Sequence, residues 1–144
     1  MTLLVVGGMQ VLMPMGMNKA TPEIPFSKGR APVKITGWTA RDGYPDTVIS
    51  GADELIVNAS GVVTVHCHIE LSGSVGFGEK RQFDLMLNDE SKSSIESSAN
   101  SIDLTSPPIA LTAGDRLWIS MIGSAYYSTT VKAGVDTYLS FDLA

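Results

Sequence analysis

The sequence predicts an all-β fold of two packed sheets preceded by an extended N-terminal arm. Two observations lead there. From Val33 onward, short runs of β-branched and aromatic residues recur between Gly, Pro, Asn, Asp and Ser, and no helical stripe interrupts them. Within those runs, apolar and polar residues alternate with a period of two, as they must when one sheet face meets a core.

The strongest alternation spans Val62 to Leu71. Val63, Val65, Cys67, Ile69 and Leu71 fall on one face, and Thr64, His66, His68 and Glu70 on the other. The same period turns Phe83, Leu85 and Leu87 inward and Gln82, Asp84 and Met86 outward. It also places Leu117, Ile119 and Met121 inward against Arg116, Trp118 and Ser120 outward. In the last strand Leu139, Phe141 and Leu143 oppose Tyr138, Ser140 and Asp142. Shorter candidates are Val33 to Arg41, Thr47 to Ser50, Glu54 to Asn58, Ile102 to Leu104, Ile109 to Thr112 and Thr129 to Ala133. About ten strands result, enough for two sheets. Asn58-Ala59-Ser60-Gly61 and Ala113-Gly114-Asp115 supply turn chemistry, whereas the Ser-rich stretch from Asp89 to Ser101 reads as an exposed loop.

A chain of 144 residues suits one domain. Its apolar fraction of 44% and charged fraction of 17% are those of a folded protein rather than a solvating polymer. The net charge of −5 and scattered Lys and Arg argue against a nucleic-acid partner, which needs clustered positive charge. Residues 1–32 read as an apolar arm followed by a linker with Pro22, Pro25 and Pro32, and residues 33–144 as the β-sandwich domain. No charged side chain precedes Lys19, so the arm lacks the basic start of a secretory signal, and Gly7, Gly8, Pro14 and Gly16 would break a spanning helix. No membrane role is expected. Instead, Leu3, Leu4, Val5, Val6, Met9, Val11, Leu12 and Met13 are candidates for docking on another subunit, with flexible methionine suited to irregular apolar grooves.

His66 and His68 share the outer face of their strand with Glu70 next in line, a grouping of metal-ligand types. It is similar to the histidine pair of the cupins, but Ser72 and Gly73 stand where the cupin glutamate is expected and no third histidine follows. No metal or cofactor is therefore assigned, and both rings are read as groups of the outer sheet face, packing on a neighbouring subunit or pointing into solvent. Cys67 faces the core, where a thiol is inert. No nucleophile elbow or phosphate-cradling loop is present, so no catalytic residue is expected. Trp118 and Tyr138, large aromatics turned away from the core, join the histidines as candidate subunit contacts. Phe77, Tyr126 and Tyr127 are candidate loop contacts.

Three stretches together resemble the trimeric jelly rolls of tumour necrosis factor and the complement globular head. They are Ser60-Gly61-Val62-Val63-Thr64-Val65, then Leu111-Thr112-Ala113-Gly114-Asp115-Arg116-Leu117-Trp118, then Thr137-Tyr138-Leu139-Ser140-Phe141-Asp142-Leu143. Ile35-Thr36-Gly37-Trp38-Thr39-Ala40, with Tyr44-Pro45 and Thr47-Val48-Ile49, is similar to the opening of small virion proteins of actinobacterial bacteriophages, the minor tail proteins. The resemblance implies a homotrimeric jelly roll on the phage particle, in the tail or decorating the capsid, with other phage structural proteins as partners and the arm as its attachment. A host-surface glycan or protein is a further partner on a second reading, as a binding module. The third reading is a cupin-like metal-dependent enzyme.

Overall fold

The computed structural model describes residues 5–6, 9–25, 31–75, 78–123 and 128–143. Among them are fifteen strands: β1 (Val5–Val6), β2 (Met9–Gln10), β3 (Met15–Lys19), β4 (Val33–Lys34), β5 (Trp38–Ala40), β6 (Ile49–Ser50), β7 (Glu54–Ile56), β8 (Gly61–Gly73), β9 (Arg81–Leu87), β10 (Glu90–Ser97), β11 (Ser101–Thr105), β12 (Ile109–Leu111), β13 (Arg116–Ile122), β14 (Thr129–Val131) and β15 (Gly134–Leu143). The described chain contains no helix.

Two antiparallel sheets enclose one core. The seven-stranded sheet runs β11-β8-β15-β3-β5, with β12 and β14 also on β8; the six-stranded sheet runs β10-β9-β13-β7-β6, with β4 on β13. Alternation along β8 buries Val63, Val65, Cys67, Ile69 and Leu71 against Phe83, Leu85, Leu117, Ile119 and Met121 of the facing sheet. The inward sets expected from sequence on β8, β9 and β13 are those observed. The all-β two-sheet class is thus the observed one.

The domain boundary differs from the sequence expectation. Met15–Lys19 is no arm: it lies between β15 and β5, with Leu139 opposite Met17 and Met17 opposite Ala40. Met15 and Met17 are fully buried and Leu12 nearly so, while Val11 and Met13 are half-buried. Leu12, Met15 and Met17 are therefore committed to this chain's own core rather than free to dock on another subunit. Val5, Val6 and Met9 lie in the β1–β2 hairpin, which pairs only with itself, and Leu3 and Leu4 fall outside the described residues. The start of the proline-containing segment is also tied down. Lys19 is buried, its Nζ 3.0 Å from Glu23 Oε1 and bonded to the carbonyls of Thr21 and Thr36, and Glu23 exchanges backbone bonds with Val131.

The Ser-rich stretch is likewise not a loop. Glu90–Ser97 forms β10, paired with β9 through a two-residue turn in which Asn88 adopts φ 55°. Asn tolerates that left-handed conformation and closes the hairpin. Polar side chains hid this strand because it is the edge of its sheet. Elsewhere, Ser120 and Ser140, expected to face outward in the open, are 4% exposed, and Leu143, expected inward, is 53% exposed at the chain's end.

At one end of the sandwich Arg81 is fully buried. Its guanidinium donates to Thr129 Oγ1 (2.7 Å), the Ala99 carbonyl (3.2 Å), Asn100 Oδ1 (3.0 Å) and the Gly73 carbonyl (3.2 Å). Four neutral oxygens thereby compensate a cation that burial pushes toward its uncharged form. Gly73 is required there: its φ is 110°, and a Cβ would stand 2.6 Å from the Ser128 carbonyl oxygen.

Arg81→Met is expected to leave those acceptors unpaired and cost roughly 3 kcal/mol or more, read as a lower urea midpoint. Removing residues 1–11 is expected to leave the β circular dichroism and cooperative unfolding intact, whereas removing residues 1–19 deletes β3 and abolishes both.

Candidate functional site

The outer face of the seven-stranded sheet holds the densest group of chemistry-bearing side chains. Cross-strand register sets it out. Asp103 on β11 lies opposite His68 on β8, His68 opposite Tyr138 on β15, and Tyr138 opposite Asn18 on β3. One row along, Thr105, His66, Ser140 and Gly16 follow each other in the same way.

His68 is the centre. Its Nδ1 is 2.5 Å from Asp103 Oδ1 and its Nε2 is 2.6 Å from Glu70 Oε1. Carboxylates only accept, so both nitrogens must donate and the ring is the imidazolium. Asp103 and then Glu70 raise the His68 pKa against the opposing effect of desolvation, while His68 and Ser101 together hold Glu70 below the usual carboxylate range. Tyr138 stacks on the imidazole, centroids 6.2 Å apart and planes 18° from parallel. Arg41 in turn lies 4.1 Å over the Tyr138 ring and donates to the Val135 carbonyl.

The segment following β5 folds over this face. Arg41 N donates to the Gly16 carbonyl, and the Tyr44 ring covers Gly16, where an added Cβ would come within 3.0 Å of it. Glycine at this position lets an aromatic lie flat on the sheet. The cover explains why Ser140, outward by alternation, is nevertheless buried.

Chemically, Ser101, His68 and Asp103 look like a nucleophile, base and orienting acid, with Ser101 Oγ 3.3 Å from Nε2. The protons are misplaced for that work. Ser101 donates to Glu70 Oε1 at 2.9 Å, and Nε2 donates to the same oxygen, so the imidazole has no lone pair with which to take the serine proton. No group of three His, Cys, Asp or Glu side chains suited to a metal occurs among the described residues. Cys67 is buried, and desolvation raises its pKa far above that of a reactive thiol.

The candidate contact residues do not form one patch. His66, His68 and Tyr138 share the face just described, whereas Trp118 lies on the outer face of the opposite sheet. There its Nε1 donates to the Asn88 carbonyl (2.8 Å) and Lys34 Nζ sits 4.5 Å over its ring. Lys34 and Arg116 both reach Glu54. Burial raises the Glu54 pKa, but these hydrogen bonds outweigh it and leave the carboxyl below its ordinary value. Phe77, Tyr126 and Tyr127 lie outside the described residues. Sequence reasoning missed Arg41, Tyr44, Ser101 and Asp103, which no motif links to β8 and only strand pairing brings there.

No protein-family model matches the chain, and no curated protein does. Among solved structures it is similar to Eiger TNF from S. frugiperda, with TM-score 0.64, 12% identity and 92% of each chain covered. Murine APRIL matches at TM-score 0.62 and 12% identity, over 93% of this chain and 100% of that one. Rabbit GITRL matches at TM-score 0.55 and 16% identity, over 93% and 94%. The chain therefore has the TNF-like jelly-roll fold.

For stability, a raised His68 pKa contributes fully below the unfolded value near 6.5 and is lost as pH rises through the folded value. A depressed Glu70 pKa contributes above about 4.3 and is lost as pH falls. The unfolding free energy from urea titration is expected to fall between about pH 6 and pH 9, by about 1 kcal/mol for a part-exposed pair, and His68→Gln should flatten that fall.

Proposed function

We propose that this chain is a non-catalytic structural subunit that associates as a homotrimer through the outer face of its seven-stranded sheet. The supporting observation is the make-up of that face. His66, His68 and Tyr138 stand on this sheet surface beside the segment of Arg41 and Tyr44, with exposed Val62 opposite Ala110 at one end. Part-exposed rings and a 51%-exposed valine on this surface gain by burial against a second copy. The resemblance to the trimeric jelly rolls of tumour necrosis factor and the complement globular head points the same way.

The biological setting is a bacteriophage particle, as a minor tail or capsid-decorating subunit at the virion surface. That setting rests on the similarity of Ile35–Ala40, Tyr44-Pro45 and Thr47–Ile49 to minor tail proteins. Because Leu12, Met15 and Met17 are committed to the core, attachment to other phage proteins falls to the residues ahead of Leu12.

Light scattering on the purified chain at about pH 6 is expected to give three times the chain mass. Tyr138→Asp, which places a carboxylate on the proposed contact, should shift the protein to monomer without altering its circular dichroism. A folded wild-type chain that is monomeric at every concentration would refute the self-association. Separately, the chain lacking residues 1–11 should still form trimers but no longer join particles; normal incorporation would refute attachment through that segment.

A further inference from the structure

Asp103 and Glu70 approach the two nitrogens of one imidazole from two neighbouring strands, and the three groups form a closed unit. With both nitrogens protonated, the unit has one negative charge in excess. A neutral imidazole has a single N–H, so loss of a proton turns a lone pair toward one of the carboxylates and leaves two negative charges uncompensated.

The surroundings do little to absorb that change. On β8 the neighbours are His66, whose Nδ1 is 3.5 Å from Thr105 Oγ1, and Glu70 itself. On β11 they are Asp103 and the Ser101 hydroxyl, which already donates to Glu70. Tyr138 of β15 stacks on the ring, and the same strand carries Asp136 and Asp142. Arg41, beyond β5, lies on Tyr138 and is bonded to the Val135 carbonyl, and Lys132, after β14, acts on Glu70 through space. Lys19 of β3 is buried and paired with Glu23.

We propose that His68 is a proton-operated lock on association across this face: protonated, it holds Asp103 and Glu70 flat against the sheet, and deprotonated, it releases them toward the same groups of the neighbouring copies. The inference rests on the self-association argued above and concerns its regulation. In a symmetric assembly each copy brings its own pair of carboxylates to the contact, so the repulsion that follows proton loss is multiplied by the number of copies. Tyr138 links the lock to the contact, since the ring that would meet a neighbour is stacked on the imidazole.

The test uses the full chain. Isotope-labelled and unlabelled assemblies are mixed at about pH 6 and about pH 8.5, and the exchange of copies is followed by native mass. Exchange is expected to be roughly tenfold faster, or more, at the higher pH, one proton per copy over a unit of pH being worth a factor of ten. In His68→Gln, and in the double variant Asp103→Asn with Glu70→Gln, the rates at the two pH values should converge. Equal wild-type exchange at both pH values, with mass showing an assembly throughout, overturns the lock and leaves self-association standing. A pH dependence that persists in His68→Gln also overturns it, because the titrating group then lies elsewhere. Monomer at both pH values overturns lock and association together.

Discussion

The thirteen-residue ladder of β8 is the constraint on which the rest of the molecule depends. It pairs with β15 over Val63–His68, with β11 over His66–Glu70, with β12 at its start and with β14 at its end. Each pairing is antiparallel, and each must respect the same alternation. A one-residue slip of β8 against these partners would carry His66, His68 and Glu70 into the core and push Val65, Cys67 and Ile69 into water. The polar cluster outside and the packed core inside are therefore two faces of one register choice. Between Val131, where the pairing of β14 with β8 ends, and Tyr138, where that of β15 begins, a break in register between Gly134 and Tyr138 lets both strands stay on β8.

The protein handles its charges in two different ways. Among the described residues Arg81 and Lys19 are the largest fully buried side chains, and each is met by oxygen atoms: backbone carbonyls, an amide and a hydroxyl for Arg81, two carbonyls and Glu23 for Lys19. Removing either partner set would strand a charge in a dry interior, so both act as fixed pins between segments distant in sequence. His68 is also held by two partners, but it is part-exposed and its charge depends on solution conditions. Fixed pins hold the sandwich, whereas His68 sits on the surface where copies are proposed to meet.

The sheet interior was legible in the sequence wherever a strand has one wet and one dry face. Alternation placed Val63 to Leu71, Phe83 to Leu87 and Leu117 to Met121 because burial selects every second residue there. It failed where that rule is relaxed. β10 is an edge strand with all eight positions exposed or part-exposed and four of them serine, so it reads as a loop, and β3 has Met15, Met17 and Lys19 on one face and Gly16 and Asn18 on the other, which breaks the apolar–polar alternation. The candidate site was half legible. His66, His68 and Tyr138 follow from their own strands, whereas Asp103, Ser101, Arg41 and Tyr44 reach the same face through pairings among residues tens of positions apart, and no local pattern encodes those.

Edge strand β10 has one more implication. Serine hydroxyls, the Glu90–Lys92 ion pair and a break in register between Ser91 and Ser93 make its free side a poor template for a foreign strand. A protein held at high local density beside its own copies risks growing its sheets sideways into fibrils. Here the open margin resists such propagation, so crowding favours contacts made by surfaces over contacts made by backbone zippering.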